Sequence, residues 1–99
     1  MQLTANEELE LRYMQARGFK WIARDENEEV CAYDTMPYIA EVYPGCVSRY
    51  YANNGGDYLK CTVGRYEFLK WKDEPLEIDK LLRENGRDIP LVEPKGNEL

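Results

Sequence analysis

The sequence predicts an α+β fold: a mostly antiparallel sheet of four to six strands with an N-terminal and a C-terminal helix. Three observations predict it. Helix signals sit near the two ends of the chain. The stretch between them consists of short alternating runs. No run between those strands is long enough for a helical crossover, so neighbouring strands must run antiparallel.

The first helix starts at Thr4, which precedes Glu7 by three residues in the pattern of a capping box. Leu9, Tyr13 and Ala16 can share one face, with Glu8 and Arg12 beside it at the i,i+4 spacing that favours an ion pair. Gly18 is placed to end the helix in a left-handed cap. The run Phe19-Lys20-Trp21-Ile22-Ala23-Arg24 then alternates as a half-buried strand, with Phe19, Trp21 and Ala23 on one side. Asp25-Glu26-Asn27-Glu28 is a polar turn, and residues 29–33 alternate again, so the two runs read as a β-hairpin. Residues 38–43 and 47–51 are two further short strands around a Pro44-Gly45 turn. Asn53-Asn54-Gly55-Gly56-Asp57 is a loop, because its residues tolerate positive φ. Residues 58–63 and 66–71 read as strands, with Gly64 between them at a bulge or turn. Asp73 or Glu74 can cap a second helix with Pro75 in its first turn, and Leu76, Ile78, Leu81 and Leu82 supply its apolar face. Residues 1–88 form one compact domain on this reading, and 89–99 a C-terminal tail.

Composition narrows the function classes. Net charge is −6, so the chain repels phosphate backbones and anionic membranes and suits a basic partner. No apolar run approaches the roughly 20 residues that cross a bilayer. The N-terminus is acidic and lacks a signal-peptide pattern, which predicts a cytoplasmic protein. Cys31, Cys46 and Cys61 are odd in number and widely spaced, which predicts reduced thiols rather than a disulfide scaffold or a metal site. Histidine is absent, and with it the commonest base near neutral pH. Ser48, Thr62 and the cysteines are nucleophiles in type only. The expectation is a binding protein, without catalytic residues, cofactor or metal.

Two groups of residues are candidates for partner contact. Asp25, Glu26, Glu28 and Glu29 place four carboxylates in five positions, an acidic hairpin tip that matches neither a calcium loop nor a glycosidase pair. Six of the eight tyrosines fall between Tyr38 and Tyr66. Among them Tyr38, Tyr43, Tyr50 and Tyr51 offer rigid contact area at low entropy cost. Half-buried core is the competing role for each. Adjacent Tyr50 and Tyr51 face opposite ways in a strand.

The stretch Tyr13-Met14-Gln15-Ala16-Arg17-Gly18-Phe19-Lys20-Trp21-Ile22-Ala23-Arg24-Asp25, together with Phe68-Leu69-Lys70-Trp71-Lys72-Asp73-Glu74-Pro75, resembles small accessory proteins of phages and prophages of Gram-positive bacteria. Some small acidic phage proteins of this size are anti-CRISPRs or other inhibitors of host defence. The resemblance implies a phage-type protein that binds and inhibits a host defence nuclease by occupying its nucleic-acid surface. It implies no site residue. Two alternatives stand beside it: self-association, as a homodimer, through the tyrosine-rich strands, and sequestration of a nucleotide signal.

Overall fold

The computed structural model describes residues 2–39, 50–51 and 56–85. The fold is α+β. Helix α1 spans Ala5–Ala16, and strands β1 (Trp21–Arg24) and β2 (Val30–Tyr33) form an antiparallel hairpin. Strands β3 (Tyr38–Ile39) and β4 (Tyr50–Tyr51) pair antiparallel as a separate ribbon. Strands β5 (Tyr58–Lys60) and β6 (Leu76–Glu77) flank the hairpin, giving a four-stranded antiparallel sheet in the order β5-β2-β1-β6. Helix α2 (Ile78–Asn85) follows β6 directly. Among the described residues no helix is long and apolar enough to cross a membrane. The predicted strand positions in 40–49, residues 53–55 of the predicted 53–57 loop and the 89–99 tail lie outside the described residues.

Both caps of α1 form as its sequence predicts. Thr4 Oγ1 accepts the Glu7 N–H, and Glu7 Oε1 accepts the Thr4 N–H, so two orphan donors are satisfied reciprocally. At the other end Gly18, at φ 92, lets the chain reverse. The Phe19 N–H donates to Met14 O and the Gly18 N–H to Gln15 O, the paired bonds of a Schellman motif.

The buried face of α1 is not the predicted one. Leu11 and Met14 go inside with Leu3, while Leu9 is 66% and Tyr13 50% exposed, and Ala16 is exposed too. Glu7 and Glu8 are buried in their stead. The reason is polar. Glu7 Oε2 accepts the buried Tyr66 N–H at 2.6 Å, and Glu8 holds Arg12 at 2.8 Å. Glu10 accepts the Tyr66 hydroxyl at 2.7 Å and both the N–H and hydroxyl of Thr62. Bonds to charged acceptors are about twice as strong as neutral ones, enough to select the helix face against a mild apolar preference.

Those carboxylates hold the segment where 66–71 is predicted to be a strand. No strand forms there. Tyr66 sits at φ 63, which breaks an extended run. The segment is instead fixed by Arg24, whose buried guanidinium donates to the carbonyls of Glu28 (2.6 Å), Arg65 (3.0 Å), Tyr66 (2.8 Å) and Leu69 (2.5 Å). Arg24 does the work that a neighbouring strand would otherwise do for these acceptors.

The start of α2 also moves. Asp73 does not cap it: Asp73 Oδ2 accepts the Lys70 N–H at 2.7 Å and closes a turn. Leu76 and Glu77 join the sheet opposite Ile22 and Trp21, so the helix begins at Ile78. Ile78, Leu81 and Leu82 face the core as predicted. Leu76 packs against it from the sheet.

The sheet is covered on both faces, so β1 is more than half-buried: Ile22, Ala23 and Arg24 are all inside. On one face Ile22, Val30 and Ala32 meet both helices together with Cys61, Tyr66 and Leu69. Phe19 joins this cluster because it precedes β1 and escapes its alternation. On the other face Ala23, Cys31 and Tyr33 pack with Tyr50, flanked by Trp21 and Trp71.

Two expected outcomes follow from this framework. Arg24→Leu leaves four carbonyls without their donor and should destabilise the protein by about 3–5 kcal/mol. Arg12→Leu takes a partly exposed partner from the buried Glu8 carboxylate and should cost less, about 1–3 kcal/mol. Urea denaturation of both variants checks the contrast. For Glu10, burial works to raise the carboxyl pKa, but hydrogen bonds from Tyr66 and Thr62 and the charge of Arg65 outweigh it, and the folded-state pKa is lowered from 4.5. A lowered folded pKa stabilises fully above the unfolded value and is lost as pH falls through the folded value. The stability gap between the native protein and Glu10→Gln should therefore be widest above about pH 5 and shrink toward pH 2, read from urea midpoints across that range.

Candidate functional site

The candidate site is built on the β1–β2 turn. The Asp25 N–H donates to Glu29 O, and residues 26–28 form a three-residue loop whose last member, Glu28, sits at φ 75. A left-handed third residue is what such a loop needs, and glycine is its usual occupant. Asn27 Oδ1 accepts the Glu29 N–H at 3.1 Å and stiffens the loop.

The four predicted carboxylates separate in space. Asp25 is 2% exposed, and its Oδ1 accepts the Tyr50 N–H at 2.8 Å, so it ties the hairpin to β4. Glu29 is half-buried and pairs with Lys60 at 3.2 Å. Glu26 is exposed. The Glu28 side chain is 75% exposed, with Oε1 at 3.5 Å from Arg24 Nη1. Period-free turns give no inward or outward signal, which is why the sequence could not separate these four.

The tyrosines separate as well. Tyr38 is half exposed and pairs with Tyr51 across the β3–β4 ribbon. Tyr50 is buried, and its hydroxyl donates to Asp73 O at 2.7 Å. Its carbonyl accepts the Tyr33 hydroxyl at 3.3 Å, and its ring stands edge-on to Trp71 with centroids 6.1 Å apart. Burial, then the nearby charge of Asp73, raises the Tyr50 phenol above its ordinary pKa. Tyr43 lies outside the described residues.

Beside the tip runs the segment that Arg24 holds. A cleft of about 260 Å³ separates them, lined by Glu28, Glu29, Lys60, Thr62 and Arg65 among others. A smaller one of about 160 Å³ continues past Gly64 and brings Glu67 to the same opening as Glu28. Glu67 is exposed, and sequence reasoning missed it. Its assignment to a strand hid its place, and only the turn at Tyr66 sets it beside the hairpin.

The nucleophilic side chains have structural settings. Cys31 and Cys61 are buried, and Cys46 and Ser48 lie outside the described residues. Burial, then the charge of Glu10, pushes the Cys61 thiol up, so it stays protonated and unreactive near neutral pH. The Thr62 hydroxyl donates to Glu10, but a carboxylate held below its ordinary pKa is a weak base. Among the described residues no three cysteines or carboxylates gather to hold a metal ion.

Set against known protein families, curated proteins and solved structures, the chain matches none of them at a significant level.

The different roles of the tip carboxylates are measurable. Asp25→Ala leaves the buried Tyr50 N–H without its acceptor and should cost about 1–3 kcal/mol. Glu26→Ala should stay within about 0.5 kcal/mol of the native protein. Equal urea midpoints for the two variants would place Asp25 at the surface.

Proposed function

We propose that this chain is a binding protein whose acidic hairpin tip engages a basic surface on another protein, and that it serves as a phage-type inhibitor of a host defence nuclease, acting as an anti-CRISPR does. The contact set is Glu26, Glu28 and Glu67, with Glu29 beside them. Asp25 supports the tip from inside. The inhibitor would cover arginines and lysines that otherwise meet nucleic-acid phosphates, which raises the association rate and makes it salt-dependent.

One observation carries this reading: Glu28 keeps a β-carbon at φ 75 and turns its carboxylate to solvent. Glycine would relieve backbone strain of the order of 1 kcal/mol there. An exposed pair to Arg24 at 3.5 Å returns little of that. A strained, exposed side chain on a turn that Arg24 holds in place marks the tip as a candidate for contact with another molecule.

The tyrosine-rich ribbon favours a second reading. Met36, Tyr38 and Ile39 are all exposed, as is Tyr58 on the outermost described strand of the sheet. Self-association through this side would bury them.

Salt-graded affinity capture from host lysate, followed by a cleavage assay with the captured nuclease, tests the leading proposal. The protein should retain a nucleic-acid-binding nuclease at low salt, release it at high salt, and suppress cleavage. Reversing Glu26, Glu28 and Glu67 to lysine together should abolish suppression without unfolding the protein. Full suppression by that triple variant would sink the acidic-tip mechanism, and recovery of the protein alone would shift the weight to self-association. Glu28→Gly separates strain from function: stability should rise by up to about 1 kcal/mol while affinity falls.

A further inference from the structure

The outward face of α1 has no part in the tip mechanism. Ala5, Leu9, Tyr13 and Arg17 lie four residues apart and form one i,i+4 ridge along the helix and its C-cap. Leu9 and Tyr13 are both at least half exposed. The carboxylates of this helix point elsewhere: Glu7 and Glu8 are buried, and the Glu10 side chain is only 12% exposed. In a chain of net charge −6, this face therefore carries no exposed carboxylate of α1 among the described residues. Its charge comes from Arg17, with Arg12 beside it half-buried and tied to Glu8.

Arg17 is already positioned. Its guanidinium lies 5.6 Å from the Tyr13 ring centroid, and Nη1 donates to the Tyr13 hydroxyl at 2.6 Å. Among the described residues no carboxylate pairs with it. A guanidinium has five N–H donors in a planar fork, so most remain for an acceptor that arrives from outside.

We propose that this ridge docks an acidic amphipathic helix of a partner protein. An apolar side chain of the partner seats against Leu9 and Tyr13, and a carboxylate about one turn further on meets the fork of Arg17. The partner is helical because an i,i+4 ridge packs into the groove of another helix. It is acidic because the exposed charge that this ridge presents is the guanidinium of Arg17. The same helix of a second copy does not supply that carboxylate. Two α1 helices paired antiparallel with Leu9 against Tyr13 set Arg17 opposite Ala5. This surface is separate from the acidic tip and selects a partner of opposite charge from the one the tip selects.

The test uses the full isotope-labelled chain and two capped peptides of about 14 residues, near the length at which a helix is marginally stable. Both carry the same leucine stripe. One has glutamates flanking it and the other lysines. Amide resonances of α1 and its C-cap should shift with the glutamate peptide only. Leu9→Asp should weaken that binding at least about tenfold, and Arg17→Glu should transfer the preference to the lysine peptide. Both residues are exposed, so the variants should keep the native spectrum. Lysine reversal at Glu26, Glu28 and Glu67 should leave peptide binding unchanged, which separates this outcome from the fate of the tip. Equal response to both peptides, or shifts confined to residues outside α1, would overturn the proposal. So would a concentration-dependent dimer lost in Leu9→Asp, which would give the ridge to a second copy.

Discussion

The guanidinium of Arg24 holds the carbonyls of Glu28, Arg65, Tyr66 and Leu69, and through them it joins the hairpin tip to a segment more than forty residues away in sequence. Two of those carbonyls belong to residues with left-handed backbones, Glu28 and Tyr66. Left-handed residues with side chains persist only where the surroundings over-determine them. A buried charge bonded at four acceptors does so, since releasing any one leaves part of the guanidinium desolvated and unpaired. The tip, the cleft beside it and the position of Glu67 all follow from this one side chain.

The same economy of buried charge governs α1. Glu7 and Glu10 grip the far side of the segment that Arg24 grips from the sheet. Tyr66 is caught between them: its N–H goes to Glu7, its hydroxyl to Glu10 and its carbonyl to Arg24. Burial, then the hydrogen bond to Glu10, raises its phenol above the ordinary range, so it remains a donor near neutral pH. The irregular 61–71 stretch is therefore held from both sides by charged side chains. The net charge of −6 understates how uneven the surface is: carboxylates drawn inward leave α1 neutral to cationic outside, while those of Glu26, Glu28 and Glu67 stay in solvent.

These two surfaces make opposite demands. On the proposed readings the tip would meet a basic partner and the α1 ridge an acidic one. A small protein with both can bridge two proteins, or grip two charged regions of one. Either arrangement would serve the proposed inhibitor, because contacts on separate faces of a rigid body add without a linker to order.

Several features were legible in the sequence because they depend on nearest neighbours: the Thr4–Glu7 capping box, the Gly18 reversal, the β1–β2 hairpin and the Ile78, Leu81, Leu82 face of α2. Each is set by residues within a turn or two of one another, where propensity and hydrogen-bond geometry decide. The buried side of α1, the fate of 66–71, the start of α2 and the separation of Asp25 from Glu26 and Glu28 were decided only by tertiary structure. Each depends on a charged or polar side chain finding backbone groups far away in the chain: Glu7 at Tyr66, Arg24 at Leu69, Asp25 at Tyr50. Hydrophobic periodicity reports what water expels. It says nothing of a charge that enters the core because unpaired backbone groups are waiting there for it.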